Sequence, residues 1–305
     1  MASSEQLLAL SQELANVVEQ LSTSVVAVHG SHRFGASGIH WRSGLIVTAR
    51  HAIRHGEEFS ITLPDHGVAS AALVGRDSST DLALLKMDAK GLATVRTSTT
   101  AGLKVGHLVI AVGRSHLGDL AASTGVVARL GGPWRTWRGG QIDQLLRPDV
   151  TLYRGQSGSA LVNVRGEVLG MNTGALARMA AITVPASTVD RVVTELLEHG
   201  HVRRAYLGIA MQTVAIPDAV RANLKLDSAT GLLVMHVESE GPGSKAGLMV
   251  GDLLIRIQGK VAADLTSLQE ALAGTRPEQT VKLTIIRGGE ERGVDVTLGD
   301  RPSRK

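Results

Sequence analysis

The stretch Arg154-Gly155-Gln156-Ser157-Gly158-Ser159-Ala160-Leu161-Val162 sets a hydroxyl between two glycines, on a bend that leads straight into an apolar strand. Small neighbours let a carbonyl approach the Ser157 hydroxyl closely. They also let backbone N–H groups, here those of Gly155 and Ser157, point at an oxyanion. Taken alone, Gly-x-Ser-Gly is equally a hairpin turn with an idle serine. The upstream sequence decides between the two.

A serine hydroxyl is a weak nucleophile unless a base takes its proton, and that base must itself be oriented. Gly44-Leu45-Ile46-Val47-Thr48-Ala49-Arg50-His51 is an apolar strand that delivers a histidine at its end. Ser79-Thr80-Asp81-Leu82-Ala83-Leu84-Leu85-Lys86 opens another apolar strand with an aspartate. Singly, His51 is an ordinary strand-end histidine and Asp81 a turn former. Together they give the chain order His, Asp, Ser, which is that of chymotrypsin-like double barrels and not of subtilisins or α/β-hydrolases.

The segments Val47-Thr48-Ala49-Arg50-His51, Thr80-Asp81-Leu82-Ala83-Leu84-Leu85-Lys86, Ser123-Thr124-Gly125-Val126-Val127 and Gly155-Gln156-Ser157-Gly158-Ser159-Ala160-Leu161-Val162-Asn163 resemble the HtrA (Deg) family of serine proteases. That family joins a chymotrypsin-like domain to PDZ domains, and the resemblance runs from about Val17 to about Gly299. It implies a mostly β chain: a double β-barrel protease domain followed by one α+β PDZ domain. It further implies a serine endopeptidase of unfolded polypeptides, with Ser157 as nucleophile, His51 as general base and Asp81 orienting the imidazole. The family usually has Asn at position 156, Gly at 159 and Pro at 160, and a small or polar residue at 50. Ser159 is therefore expected to add bulk beside the substrate channel. Digestive relatives carry an acid before the serine that pairs with a newly cut amino terminus. Gln156 has no charge to pair, so loop ordering by a ligand or partner is expected instead of cleavage of a propeptide.

Composition sets the outer bounds. Three Trp, two Tyr and two Phe leave the cores to Val, Leu, Ile and Ala, and 35 glycines fit many turns between short strands. A net charge of +4 with interleaved acids reads as a mixed solvated surface, which excludes a nucleic-acid patch as the expectation. Cysteine is absent, so disulfide and thiol chemistry are excluded. Among eleven histidines, His51 and His55 are four apart but lack an HExxH or Cys context, so neither a metal nor a cofactor is expected. No apolar run reaches the roughly 20 residues of a membrane span.

Residues 1–21 read as an amphipathic arm, with Leu7, Leu8, Leu10, Leu14, Val17 and Val18 at helical spacing. The arm has no basic n-region and no continuous apolar h-region, so the chain as written is expected in the cytoplasm, or in the periplasm or outside the cell if trimmed. In the family this arm builds a homotrimer through aromatic contacts, and here no aromatic precedes Phe34. Residues 22–202 are expected to form the protease domain, its short strands including Val25–Val28, Phe59–Leu63, Ala71–Val74 and Leu108–Val112. Residues 131–144, with Trp134, Arg135, Trp137 and Arg138, resemble the family's regulatory loop region and equally read as a surface loop anchored by two tryptophans.

Thr151-Leu152-Tyr153 and Asn172–Val184 should wall the specificity pocket. Leu152, Ala175 and Ala181 then favour a small aliphatic side chain, and Arg178 is the one charge on the second wall. Ser187 is expected to cap the helix that ends at Gly200, with Asp190 in the capping-box position. Residues 203–300 resemble a protease-associated PDZ domain. Its loop Tyr206-Leu207-Gly208-Ile209 would hold a peptide's free carboxylate on backbone N–H groups, the peptide adding as a strand beside Ile209-Ala210-Met211. Leu268 and Leu272 read equally as the other groove wall and as core. Residues 301–305 form a basic tail. The reading from another functional class is a PDZ scaffold or holdase whose protease domain is idle.

Overall fold

The computed structural model describes residues 4–30, 35–53, 55–88, 90–177, 180–272 and 274–301. The chain divides into two compact units, residues 1–202 and 203–305. Phe34, Arg178 and residues 302–305 lie outside the described residues.

In the first unit, helix α1 (Ser4–Ser22) precedes a closed barrel of six strands, β1 (Val25–His29), β2 (Ala36–Arg42), β3 (Leu45–Ala49), β4 (Glu58–Thr62), β5 (Val68–Asp77) and β6 (Leu82–Lys86). A second closed barrel follows, from β7 (Leu108–Arg114), β8 (Leu120–Gly131), β11 (Leu145–Asp149), β12 (Ala160–Asn163), β13 (Val168–Thr173) and β14 (Ile182–Pro185). The hairpin of β9 (Trp134–Arg135) and β10 (Gln141–Ile142) is inserted between β8 and β11. Strand order around the first barrel is β1-β2-β3-β6-β5-β4, and around the second β7-β8-β11-β14-β13-β12, so the two repeat one topology.

Each barrel has its own aliphatic filling. Val26, Ile46, Ile53, Phe59, Ile61 and Leu85 fill the first, and Val109, Val127, Leu146, Leu161 and Leu169 the second. A third cluster joins residues of both barrels to α1 and to helix α2 (Ala186–His199), through Val17, Leu21, Ile39, Val47, Val112, Val162, Val189 and Leu196. Gly200 ends α2 in the left-handed conformation at φ 72°, as expected of a glycine stop. The start of α2 differs from expectation. The N-cap is Pro185, with no side-chain cap. Asp190 instead accepts hydrogen bonds from Trp41 Nε1 at 2.9 Å and Arg42 Nη2 at 2.8 Å, which removes it from any capping box. Residues 131–144 carry the β9–β10 hairpin. Trp134 packs against the shared cluster, whereas Trp137 is 76% exposed with Arg138 stacked 4.3 Å from its ring centre, so one tryptophan anchors the segment.

In the second unit, the sheet order is β16 (Ile209–Ala215), β17 (Thr230–Val237), β18 (Leu253–Ile257), β20 (Thr280–Arg287) and β21 (Glu290–Thr297), with β19 (Lys260–Val261) paired to β18. Strand β15 (Ala205–Tyr206) pairs with β22 (Gly299–Asp300). Three short helices, α3 (Asp218–Leu224), α4 (Pro242–Lys245) and α5 (Leu265–Ala271), complete it. The α5 start is closed by a capping box, in which Asp264 Oδ1 accepts the Ser267 N–H at 2.7 Å and Ser267 Oγ accepts the Asp264 N–H at 3.0 Å. Leu207, Leu232, Leu254, Ile257, Leu268, Val281, Leu283 and Ile285 form the core.

Candidate active site

Strand β3 does not itself carry the histidine. A 3₁₀ turn, Arg50–Ala52, follows it and swings His51 back towards the start of β6. The turn before β6 is built by Asp77, which is 2% exposed and accepts from the Ser79 and Thr80 hydroxyls at 2.9 and 2.7 Å. The turn leaves Asp81 at φ 59°, a left-handed conformation that aspartate tolerates better than most residues. Asp81 then takes three hydrogen bonds: from the His51 N–H at 2.9 Å, from His51 Nδ1 at 2.6 Å and from Thr173 Oγ1 at 2.5 Å. A carboxylate on Nδ1 fixes the proton there and leaves the Nε2 lone pair outward. The His51 side chain is 28% exposed and that of Asp81 5%, so the pair reaches the surface through the imidazole.

Ser157 comes from the other barrel, on the bend before β12. Residues Tyr153 to Gln156 form a hydrogen-bonded turn, with the Gln156 N–H donating to the Tyr153 carbonyl at 3.0 Å and Gly155 at φ 87°. Positive φ at the third residue makes this a type II turn, a geometry that favours glycine there. The next peptides are pinned from the first barrel by Ser37, which is fully buried. The Ser37 N–H donates to the Ser157 carbonyl at 2.9 Å. The Ser37 hydroxyl lies 3.2 Å from the Gly155 carbonyl and 3.1 Å from that of Arg114, sharing one proton between two acceptors. Gly158, at φ 93°, has no room for a side chain, because a Cβ there would lie 2.0 Å from the Ser37 carbonyl.

The Gly158 N–H donates to Asn172 and the Ser159 N–H to Gln156. Among the described residues, neither the Gly155 N–H nor the Ser157 N–H is given to a partner. No hydrogen bond joins the Ser157 hydroxyl to the His51 ring among those residues either. The loop therefore presents a hydroxyl beside two free backbone donors.

Ser159 departs from expectation. It is fully buried and points away from the surface, where its hydroxyl accepts from Asn172 Nδ2 at 3.1 Å. Thr183 Oγ1 in turn donates to Asn172 Oδ1 at 2.7 Å. Gly113 makes the room, since a Cβ there would lie 2.8 Å from the Ser159 Cβ. The extra hydroxyl is thus absorbed in a buried network and adds no bulk beside the substrate channel.

Strands β13 and β14 pair Thr173 with Ile182, so the loop joining them, of which residues 174–177 and 180–181 are described, lies at that end of the barrel. Ala175 is exposed on this loop, Ala181 half-buried at its far end, and Leu152 half-buried ahead of the Tyr153 turn. Among the described residues, no three His, Cys, Asp or Glu side chains gather to hold a metal.

Ser37, Thr173 and Arg114 were not singled out from the sequence. Arg114 is 4% exposed, donates to the carbonyls of Val25, Gly118 and Ser22 at 2.7, 2.6 and 2.8 Å, and gives its own N–H to Ser37 Oγ at 3.0 Å. Burial lowers its guanidinium below the ordinary value, with Asp119 opposing that effect. The available signal was a polar residue inside an otherwise apolar strand, as with Ser37 in Ala36-Ser37-Gly38-Ile39.

In the second unit, the Leu207 carbonyl accepts the Gly243 N–H and the Gly208 carbonyl accepts the Glu238 N–H, both at 2.8 Å. Gly208 sits at φ 66°, and among the described residues the N–H groups of Leu207 and Gly208 donate to no partner. Tyr206 pairs with Gly299, and its hydroxyl donates to Glu238 at 3.1 Å. Ile209 opens β16, a sheet-edge strand beside which α5 packs. Leu268 of α5 is 5% exposed and belongs to the core, with Leu272 and Met211 packed against the same cluster.

Fold and loop together define a trypsin-like peptidase domain followed by a PDZ domain. The trypsin-like peptidase domain family matches residues 36–171, and the PDZ domain family matches residues 205–298. A probable periplasmic serine endoprotease, DegP-like, of Pseudomonas putida is 32% identical over 264 residues, covering 85% of this chain and 54% of the relative. The serine protease Do-like HtrA of Lactobacillus helveticus is 33% identical over 269 residues, covering 84% and 65%. Among solved structures, a serine endoprotease from Yersinia pestis superposes with TM-score 0.73 at 26% identity, covering 94% of this chain and 98% of that one. The HtrA-type protease AlgW with a tripeptide superposes with TM-score 0.70 at 25% identity, covering 95% and 98%. The chain belongs to the HtrA family of PDZ-carrying serine proteases. It spans about half the length of the first DegP-like relatives it matches, 54% in the Pseudomonas putida case.

Proposed function

We propose that this chain is a serine endopeptidase that hydrolyses unfolded polypeptides after small aliphatic residues. The observation that carries the reading is the pairing, on opposite barrels, of an Asp81-held imidazole with a serine loop that has two free N–H donors. Ser157 Oγ attacks the scissile carbonyl and His51 Nε2 takes its proton. Asp81 keeps the ring in the acceptor tautomer and stabilises the imidazolium that forms. The Gly155 and Ser157 N–H groups receive the oxyanion, and the proton then passes from His51 to the leaving amine. The hydroxyl closes on Nε2 when substrate binds, since such contacts are often long in the free enzyme.

Leu152, Ala175 and Ala181 offer an aliphatic, uncharged surface for the residue before the cleaved bond. The free N–H groups of Leu207 and Gly208 at the edge of β16 suit a peptide's terminal carboxylate. The DegP-like relatives are named periplasmic, so we assign this chain to the periplasm, and the cytoplasmic expectation has no support from them. No described helix is long and apolar enough to cross a membrane. A homotrimer, as the resemblance implies, would suit the exposed Leu7, Leu8 and Leu10 of α1. The relatives reported above are all named proteases, which supports peptidase over an idle scaffold.

Fluorophosphonate labelling of the full chain tests the reading. The parent should label and should cleave casein, and Ser157→Ala should lose both by several powers of ten in rate. Casein cleavage by Ser157→Ala at the parent's rate would remove the nucleophile assignment.

A further inference from the structure

We propose that Gln156 is a positioning residue for the oxyanion hole, its uncharged side-chain amide holding the turn that aims the Gly155 N–H. Both backbone groups of Tyr153 are taken by Gln156. The Gln156 main-chain N–H donates to the Tyr153 carbonyl at 3.0 Å, and Gln156 Oε1 accepts the Tyr153 N–H at 3.0 Å. The turn is thereby tied twice at its ends, and its central peptide, Arg154–Gly155, is the one left to choose an orientation. Type I and type II turns differ by roughly half a rotation of that central peptide. In the observed form, with Gly155 at φ 87°, the Gly155 N–H stays free. Rotated, the peptide would offer the Arg154 carbonyl in its place and repel an oxyanion. On the far side of Gly155 the chain is held by Ser37, so the side-chain tie on the near side is made by Gln156.

The orientation of the amide is fixed by chemistry. Turned over, it would set its own donor against the Tyr153 donor. The Nε2 group is then left without an acceptor among the described residues, in a side chain only 1% exposed. A buried unpaired donor is unfavourable, and an apolar residue of this shape would remove that defect. The amide earns its place if its oxygen is needed at Tyr153. A tie of this kind needs no charge and no new amino terminus, which agrees with the absence of an acid before Ser157.

The inference rests on the peptidase reading, and the test separates the two. In the full chain, Gln156→Met removes both the tie and the unpaired donor, whereas Gln156→Glu keeps an oxygen facing Tyr153 but buries a charge. Turnover and KM are measured on a peptide p-nitroanilide ending in valine, together with fluorophosphonate labelling and the melting midpoint. Gln156→Met should lower kcat about 10- to 100-fold, less than the loss of an oxyanion donor, with KM within about twofold and no fall in melting midpoint. Gln156→Glu should melt below Gln156→Met yet turn over faster. The proposal is overturned if Gln156→Met keeps kcat within about twofold, or if turnover simply follows the melting midpoint across the two variants. If Gln156→Glu does not fold, the kcat-to-midpoint split of Gln156→Met decides alone. A parent chain that neither labels nor cleaves removes the peptidase reading and this inference with it. An active parent beside an equally active Gln156→Met removes only the inference.

Discussion

Replacing Thr173 by valine keeps the shape of a fully buried side chain and removes one hydroxyl. That hydroxyl donates to Asp81 Oδ2 at 2.5 Å and accepts the Ala175 N–H at 3.0 Å. Asp81 would keep two of its three donors, both from His51. A hydrogen bond to a charged acceptor contributes about 1.5–3 kcal/mol. The Ala175 side of the loss is small, because that residue is exposed and water replaces the partner. In a unit of 202 residues each kcal/mol moves the midpoint by about 2–4 °C, so Thr173→Val should melt roughly 3–12 °C lower. If about half of the lost interaction is expressed in the transition state, kcat/KM falls about 3- to 12-fold, since about 1.4 kcal/mol is one power of ten. Tryptophan fluorescence follows the unfolding, because Trp41, Trp134 and Trp137 all lie in this unit. Thr173→Ser, which retains the hydroxyl, should stay within about twofold of the parent on both measures. A Thr173→Val chain with an unchanged midpoint and kcat/KM within about twofold would refute the reasoning, because the bond would then contribute to neither function nor stability.

Two further outcomes concern the PDZ unit. Asp252 is 1% exposed and paired to Arg287 through two contacts of 2.6 Å. Burial alone would raise its carboxyl, but the hydrogen bonds from Arg287 and from the Met249 N–H outweigh burial and hold it below the ordinary 3.8. A depressed carboxyl stabilises the fold above its ordinary value and gives that up as pH falls through the folded one. Protection factors of the β17, β18 and β20 amides in the full chain, taken against the intrinsic exchange rate at each pH, should therefore stay flat from neutrality down to about pH 4 and fall below it. Arg287→Met leaves burial to raise the carboxyl, so it should lower protection at neutral pH and shrink or reverse the fall on acidification, and identical profiles would exclude the pair as the cause. For the carboxylate loop, a peptide with a free apolar C-terminus should bind the full chain more tightly than its amidated form by about 1.5–3 kcal/mol, read by isothermal titration. Equal affinities would detach Leu207 and Gly208 from peptide binding.

The three residues of the proposed catalytic group were legible because each stands where a local rule changes. His51 and Asp81 border strands of unbroken apolar character, and Ser157 sits where glycines interrupt one. The barrels were legible as many short strands, although not their closure or shared strand order, which arise from pairings such as Val25 with Ile39 and Ala27 with Thr62. Ser37 was missed because its function depends on contacts with Arg114, Gly155 and Ser157, between 77 and 120 positions away in the chain. The helix start at Pro185 misled for the opposite reason. Ser187 and Asp190 have the local spacing of a cap, but Trp41 and Arg42 compete for the carboxylate and win it. The expected effect of Ser159 failed because bulk was inferred from residue size, whereas the direction of the side chain is set by Gly113, a partner on another strand.

The site is a property of the seam between the barrels and of neither barrel alone. The proposed base and orienting carboxylate come from the first, the proposed nucleophile and oxyanion donors from the second. The polar contacts that cross the seam here are short-range and few in kind: Ser37 to the Gly155 and Ser157 carbonyls and to the Arg114 backbone, the Arg114 guanidinium to the Val25 carbonyl, and Thr173 to Asp81. Each barrel keeps its own apolar filling, so loosening one of these contacts leaves most of the buried area in place. Burial fixes whether the unit folds, because it scales with apolar area removed from water. Alignment of the two halves rests on a handful of hydrogen bonds, each worth little beside that total but able to change a rate by an order of magnitude through a small displacement. Turnover at this site should therefore be lost before folding is. The same separation accounts for the persistence of a buried defect such as Gln156 Nε2, which has no partner among the described residues: folding tolerates its cost, and on the proposal above turnover depends on the oxygen at the other end of the side chain.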